Sequence, residues 1–209
     1  MTTISEFGHP EMQQDNSHDM HNLEVLRTIS VSKFPVYLAY SHRYQEHYAL
    51  KTYSYESKDI NASFLRESRL ASVKHPNVIN ILYSQALQRA VSDGKTSNVS
   101  YILMEYAPFG DLTDMITKGC LSDEKIVRTY FHQLVNGLEF LHSKGIYHMD
   151  LKTDNLLVGK DYKLKISDFD ASYFQGDEFM AGRGTRNFRS PEVLAEKCEL
   201  PEKIGRAHV

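Results

Sequence analysis

A group of oxygen-bearing side chains in the second half of the chain is suited to phosphate chemistry. Asp150, Asn155 and Asp168 offer hard oxygen atoms that can bind Mg²⁺ or accept a proton, and Lys152 adds a positive charge among them. The alternative is that these residues only form turns, because Asp and Asn readily hydrogen-bond to the main chain in tight loops. The residue types therefore predict either a Mg²⁺- and phosphate-binding cluster or a pair of polar turns.

Short strands and one long helix are predicted to position this cluster. Apolar runs at 156–158 and 163–167 lie beside it and predict two strands. The helix is expected to begin after Ser122 as its N-cap and to end before Gly145, which suits the position just past a helix C-terminus. Its apolar stripe has helical spacing and comprises Ile126, Val127, Tyr130, Phe131, Leu134, Val135, Leu138 and Leu141.

The first half of the chain predicts strands around one helix. The helix is expected from Asp59 to Val73, and a hairpin turn is expected on Asp93-Gly94. A β-rich lobe followed by a helical lobe is an α+β layout, with a cleft expected between the lobes. The helix side chains expected in a core are Phe64, Leu65, Leu70 and Val73. The predicted strands are 36–40, 47–53, 78–84 and 100–106.

Composition is that of an ordinary globular protein. The 209 residues are 41% hydrophobic and 24% charged with a formal net charge of −3, which excludes a disordered polymer, a collagen and a coiled-coil rod. This charge gives no electrostatic reason to expect a nucleic-acid or membrane partner, and no apolar run approaches the roughly 18 residues of a membrane span. With Cys120 and Cys198 alone and no signal-peptide pattern, a reducing, cytoplasmic location is expected.

Five segments, in order along the chain, resemble a eukaryotic protein kinase. HMDLKTDN (148–155) is similar to the catalytic loop H-R-D-L-x-x-x-N, and DFD (168–170) is similar to D-F-G. GTRNFRSPE (184–192) is similar to the segment that closes the activation loop, YALK (48–51) resembles V-A-I-K, and LMEY (103–106) resembles the hinge. The resemblance implies a bilobal kinase-like fold with a β-rich small lobe and the first half of a helical large lobe.

The same resemblance implies roles for the polar cluster. Asp150 matches the catalytic base that accepts the proton of the substrate hydroxyl, and Lys152 matches the lysine that steadies the transferring phosphoryl group. Asn155 and Asp168 match the two positions that hold Mg²⁺. The implied cofactors are ATP and Mg²⁺, and the implied partner is a protein substrate.

A nucleotide site is also implied. Lys51 matches the strand lysine that binds the α- and β-phosphates, and Glu67 matches the helix glutamate that pairs with it. The remaining contacts are implied for residues that enclose adenine (Val36, Ala49 and Leu157), that hydrogen-bond to it through the main chain (Glu105 and Ala107) and that reach the ribose (Asp111). For the apolar residues among them, plain core packing is the alternative.

The glycine-rich loop of the family is absent from this chain. Ile29, Val31 and Phe34 stand where its glycines would be. The β-branched residues resist positive φ and Pro35 has no N–H, so main-chain donors to the phosphates are lost. We expect weak ATP binding rather than none, because the lysine and the metal-binding positions are kept.

Two further departures concern the catalytic loop and the activation segment. Met149 replaces the arginine that pairs with an activation-loop phosphate in the family, and Asp170 replaces the glycine of D-F-G. The charge of Asp170 would either add a metal ligand or repel phosphate. Between Asp170 and Thr185 the hydroxyl residues are Ser172 and Tyr173, both early, so we expect no phosphate switch in this loop.

The implied function is ATP-dependent transfer of the γ-phosphoryl group to Ser or Thr hydroxyls of proteins. A lysine two positions after the base and Thr185 in the G-T-x-x-F segment are similar to Ser/Thr rather than Tyr kinases. Among Ser/Thr kinases, the segments YALKTY, HPNVINIL and DLKTDNLLV resemble the calcium/calmodulin-dependent and AMP-activated group most. One alternative is a pseudokinase that acts as a binding or scaffolding module with weak or no ATP binding. Another is a small-molecule phosphotransferase of kinase-like fold.

The expected domain organisation has three parts. Residues 1–22 are expected to form a disordered tail, and 23–203 an incomplete kinase domain whose small lobe covers 23–107 and whose large lobe starts at 108–203. Residues 204–209 resemble a translated sequencing adapter and are expected to be non-native, with an ordinary polar tail as the alternative.

Overall fold

The α+β layout predicted from the sequence is confirmed by a computed structural model. Residues 1–22, 204–209 and the pair Asp93-Gly94, for which tails and a turn were predicted, lie outside the residues that the structure describes. The described residues are 23–54, 58–92, 95–178 and 183–194. Within them, no helix is long and apolar enough to cross a membrane.

The chain divides into two compact units. The first combines Met1–Val73 with Asn80–Tyr106, and the second combines Lys74–Ile79 with Ala107–Val209. The β-rich character belongs to the first unit and the long helix to the second.

The first unit contains a five-stranded antiparallel sheet with the order β1-β2-β3-β5-β4. Its central strand β3 pairs with β2 and β5, so that Lys51 lies opposite Val36 on one side and Ile102 on the other. Ala39, Leu50 and Leu103 form a buried cluster on one face of the sheet. The strands are β1 (Leu23–Ser30), β2 (Val36–Ser41), β3 (Glu46–Ser54), β4 (Ile81–Ser92) and β5 (Lys95–Glu105).

The strand predictions were accurate in the centre of the sheet and weaker at its edges. The predicted strands at 36–40 and 47–53 correspond to β2 and β3. The start predicted at Val78 was wrong, because Val78 forms an isolated bridge with Ile166 and β4 begins at Ile81. Strand β1 was not predicted, since six of its eight side chains are exposed and give no alternating pattern.

Helix α1 (Lys58–Ser68) is shorter than predicted. It tightens into a 3₁₀ turn at Arg69–Ser72, so the expected α-helix to Val73 was wrong. Phe64 is buried as expected, but Leu65 is 60% exposed, which contradicts its predicted place in a core. Glu67, three residues after Phe64, shares the buried face instead.

The second unit is built on α3 and two pairs of short strands. Strands β6 and β9 pair with each other, as do β7 and β8, and β7 coincides with the strand predicted at 156–158. The elements are α2 (Leu112–Thr117), α3 (Glu124–Ser143), β6 (Ile146–Tyr147), β7 (Leu156–Val158), β8 (Leu164–Ile166), β9 (Tyr173–Phe174) and α4 (Pro191–Leu194).

Helix α3 confirms the predicted stop and corrects the predicted start. Its N-cap is Asp123 rather than Ser122, because the Asp123 carboxylate accepts a hydrogen bond from the Lys125 N–H at 2.8 Å. Gly145 follows the C-cap with φ +67°, as expected for that position. Tyr130, Leu138 and Leu141 of the predicted stripe are buried. The exposed members of the stripe are Ile126, Val127 and Phe131.

Candidate active site

In the first unit, the structure joins two predicted residues in a buried ion pair. The Lys51 ammonium lies 2.7 Å from Oε2 of Glu67, and the side chains are 7% and 1% exposed. Lys51 is held at the centre of β3, and Glu67 belongs to the last turn of α1. Burying either side chain alone would be costly, so each one stabilises the buried position of the other.

The other predicted residues of the first unit line the same sheet. Ala49 is buried on the same face of β3 as Lys51, because side chains two apart on a strand share a face. Val36 is half-buried at the start of β2. Glu105 ends β5, where its carboxylate accepts from the Asn80 N–H at 2.7 Å and its own N–H donates to the Asn80 carbonyl at 3.0 Å.

In the second unit, Asp150, Lys152 and Thr185 form a closed network. Oδ1 of Asp150 accepts a hydrogen bond from the Thr185 N–H at 2.5 Å, and Oδ2 lies 3.1 Å from the Lys152 ammonium. Lys152 also donates to the Thr185 hydroxyl at 2.8 Å. The network fixes a carboxylate and a cation side by side, although Thr185 is 35 residues away from Asp150 in the sequence.

The network holds the Asp150 carboxyl in its ionised form. Burial alone would raise its pKa, but hydrogen bonds from Thr185 and Lys152 and the charge of Lys152 outweigh burial and lower the pKa below its ordinary value. Asp150 is therefore a carboxylate at neutral pH, which is the form that can accept a proton.

Asn155 is tied to the same loop. Its side-chain NH₂ donates to the Asp150 carbonyl at 2.8 Å, and its own carbonyl accepts the Ser167 N–H at 2.9 Å. With the amide nitrogen turned toward Asp150, the amide oxygen is the atom that would face a cation. Asp168, one residue after Ser167, is half-buried and has a positive φ of 63°.

These donors fit Mg²⁺ bound together with a nucleotide. In the part of the chain that the structure describes, no group of three or more His, Cys, Asp or Glu side chains could hold a metal ion alone. Mg²⁺ is usually held by one or two protein oxygens with waters and substrate phosphates completing its shell, and an amide and a carboxylate meet that requirement. Asn155 and Asp168 are therefore a suitable donor pair.

Three predicted nucleotide contacts of the second unit lie near one another. Asp111 and Leu157 form an isolated antiparallel bridge, and Ala107 is buried and accepts the Gly110 N–H at 3.4 Å. The Asp111 side chain caps α2 by accepting the Asp114 N–H at 2.8 Å. Its predicted contact with a ribose stays a prediction.

His148 packs against a second buried ring. Its ring lies 4.8 Å from that of Phe169, and Nε2 is 2.8 Å from the Ser167 carbonyl oxygen. Met149, the next residue, adopts a positive φ of 65°. The buried pair of His148 and Phe169 thus supports the loop that carries Asp150.

Comparison with known proteins decides the family. The family model that describes the protein kinase domain matches residues 32–204, more than half of the chain. The chain belongs to the protein kinase domain family. This membership confirms the resemblance of the five segments and the kinase-like α+β fold.

Curated kinases from plants are similar to this kinase domain. CBL-interacting serine/threonine-protein kinase 12 of Arabidopsis thaliana is 35% identical over 171 residues, which are 78% of this chain and 33% of that protein. CBL-interacting protein kinase 9 of Oryza sativa subsp. japonica is 37% identical over 135 residues, 62% of this chain and 28% of that protein. The chain thus spans a third or less of the length of these relatives.

Sequence reasoning missed two side chains of this kinase domain. The Tyr53 hydroxyl donates a hydrogen bond to Oε2 of Glu67, and the Phe34 ring centroid lies 5.7 Å from the Lys51 ammonium. The strand period was the available signal for Tyr53, since it places residues 51 and 53 on one face. No comparable signal pointed to the position of Phe34.

The activation segment is expected to carry no activating phosphate. Ser172 is fully buried and donates to the His148 carbonyl at 3.3 Å, and Tyr173 is buried in β9. A protein kinase acting on this chain would have to unfold the segment to reach either hydroxyl. Phosphopeptide mass spectrometry of active protein should find both residues unmodified, and an activating phosphate on either one would contradict the prediction.

Proposed function

We propose that this protein is a serine/threonine protein kinase that transfers the γ-phosphoryl group of ATP to hydroxyls of protein substrates. The observation that carries the proposal is the network of Asp150, Lys152 and Thr185, because it holds an ionised carboxylate beside a cation. Phosphoryl transfer depends mostly on positioning and charge stabilisation, and this network supplies both.

Each member of the network has a chemical task. The substrate hydroxyl oxygen forms a bond to the γ-phosphorus, the bond from that phosphorus to the β–γ bridging oxygen breaks, and ADP leaves. Asp150 takes the hydroxyl proton, and Lys152 offsets negative charge on the transferring group. Thr185 keeps the carboxylate in one orientation through its N–H.

Roles toward the nucleotide and Mg²⁺ are proposed for residues of each unit taken by itself. Lys51, paired with Glu67, is the cation for the α- and β-phosphates, and Asn155 and Asp168 are the ligands for Mg²⁺. When bound, Mg²⁺ neutralises phosphate charge. The adenine and ribose contacts are proposed for Val36, Ala49, Leu157, Glu105, Ala107 and Asp111.

The choice of Ser and Thr as acceptors rests on two observations. The Ser/Thr resemblance depends on Lys152 and Thr185, and the Lys152 ammonium donates a hydrogen bond to the Thr185 hydroxyl. The Arabidopsis relative is named as a serine/threonine-protein kinase. A protein substrate is favoured over a small molecule by the segment at 184–192, which resembles the part of a kinase that positions a peptide.

The direct test is transfer of the γ-phosphate of labelled Mg-ATP to a generic Ser/Thr protein substrate, followed by phosphoamino-acid analysis. Labelled phosphoserine or phosphothreonine is the expected product. A folded protein that transfers no phosphate would contradict the proposal and favour the binding-module alternative. Label on tyrosine alone would contradict the acceptor class.

We expect weak nucleotide binding, which is also the property that the pseudokinase alternative requires. The Phe34 N–H donates to the Ser32 hydroxyl at 3.3 Å, and Pro35 has no N–H. A hydrogen bond to a charged group contributes about 1.5–3 kcal/mol, so one or two missing donors should weaken Mg-ATP binding by roughly one to four orders of magnitude. Isothermal titration calorimetry should therefore show weak binding, and a low-micromolar Kd would contradict this prediction.

A further inference from the structure

Tyr53 stands beside the lysine–glutamate pair without an assigned role. We propose that Tyr53 is a positioning residue: its hydroxyl holds the Glu67 carboxylate against Lys51 and thereby sets the affinity for nucleotide phosphates. The inference rests on the proposed function, because it assumes that Lys51 binds phosphate. Tyr53 itself touches neither nucleotide nor substrate in this assignment.

The hydrogen bonds support this role directly. The Tyr53 hydroxyl and the Lys51 ammonium both donate to Oε2 of Glu67, with 2.7 Å from the ammonium to the oxygen. All three side chains are buried. A carboxylate bound by two donors from one strand has one favoured orientation, and charge-assisted bonds of this kind are strong in a buried setting.

Aromatic packing fixes the hydroxyl in place. The Tyr53 ring lies 4.8 Å from that of Phe34 and 5.5 Å, edge to face, from that of Phe64, which belongs to the same helix as Glu67. The Lys51 ammonium lies 5.6 Å from the Tyr53 ring centroid and 5.7 Å from that of Phe34. Tyr53 thus contacts the lysine through its ring and the glutamate through its hydroxyl.

The hydroxyl and the ring should therefore have separable effects. Tyr53→Phe keeps the ring contacts with Phe34, Phe64 and Lys51 and removes one donor to Glu67. The carboxylate would then be free to rotate, and Lys51 would follow it. We expect the KM for Mg-ATP to rise about ten-fold, as for loss of one charge-assisted hydrogen bond, with kcat changed much less.

A double-mutant cycle tests whether Tyr53 acts through Glu67. The Kd for Mg-ATP is measured for the wild type, Tyr53→Phe, Glu67→Gln and the double variant. We expect Tyr53→Phe to weaken binding about ten-fold in the wild-type background and by less than about two-fold in the Glu67→Gln background. Tyr37→Phe, which removes a hydroxyl from β2 of the same sheet, is the matched control and should leave the Kd unchanged.

The outcomes separate this inference from the proposed function. Normal nucleotide binding by Tyr53→Phe, or equal losses in both backgrounds, overturns the positioning role and leaves the kinase proposal intact. A wild-type protein that binds no Mg-ATP overturns the kinase proposal and the effect on phosphate affinity together. In that case the same four proteins are compared by their free energies of unfolding in urea. Coupling between the two substitutions supports the contact between Tyr53 and Glu67, and additive effects overturn it.

Discussion

Replacing Asp150 with Asn is expected to lower phosphoryl transfer by about 10²–10⁴-fold and to leave Mg-ATP binding nearly unchanged. The amide can still accept the Thr185 N–H through its oxygen, so the loop should keep its shape. It can no longer accept a proton, and its NH₂ group would face the Lys152 ammonium in place of a carboxylate oxygen. The effect should therefore appear in kcat and not in the Kd for the nucleotide.

Asp154→Asn is the matched control for this experiment. Asp154 is an exposed carboxylate in the 3₁₀ turn that follows Lys152, so the substitution changes the charge of the same loop without touching the network. The rates of both variants are measured with saturating Mg-ATP, and their unfolding midpoints in urea check that each is folded. Equal rates for Asp150→Asn and the wild type would exclude Asp150 as the base.

The residues proposed for catalysis stand out in the sequence, but the tertiary contact that holds Asp150 does not. Asp150, Lys152 and Asn155 lie within six residues of one another, so their types and spacing already indicated phosphate chemistry. The contact from Asp150 to Thr185 spans 35 residues and depends on how a loop folds back. Such a contact leaves no periodic signal in the sequence, because it follows from tertiary structure.

The centre of the sheet could be predicted from local composition. Strands β2 and β3 are rich in aromatic and other residues that favour strands. Strand β1 lies at an edge with mostly exposed side chains, and the first turns of α3 carry exposed apolar residues, so hydrophobicity and burial disagree in both places. Pattern reasoning fails where burial is decided by neighbours distant in sequence.

The position of Phe34, where the family's loop has a glycine, has a structural role that the sequence does not show. The sequence indicated only that a glycine was absent at this position. In the structure the position is filled by a buried ring that packs on Tyr53 and lies near the Lys51 ammonium. The absence of glycine thus adds an aromatic neighbour to Lys51, the lysine proposed to bind phosphate.

Gly184→Ala is the second substitution with a large expected effect. Gly184 has φ +80°, and a Cβ there would overlap the Met149 carbonyl oxygen and lie 3.4 Å from Oδ1 of Asp150. The Gly184 carbonyl is held by Arg189, whose Nε and Nη2 donate to it at 3.0 and 2.7 Å, so the residue cannot easily move aside. We expect the loop around Asp150 to be displaced and phosphoryl transfer to fall at least about 100-fold.

Gly119→Ala separates steric overlap from backbone strain. Gly119 has a similar φ of +71°, but a Cβ there meets nothing within 4 Å. Both variants should lose about 1–2 kcal/mol of unfolding free energy from the left-handed backbone, and Gly184→Ala should lose more because of the overlap with Met149. Urea unfolding measures the loss of unfolding free energy in each variant. Steady-state kinetics should find Gly119→Ala nearly as active as the wild type. Equal activity of the two alanine variants would contradict the claim that the close approach of Gly184 to the Met149 carbonyl keeps Asp150 in position.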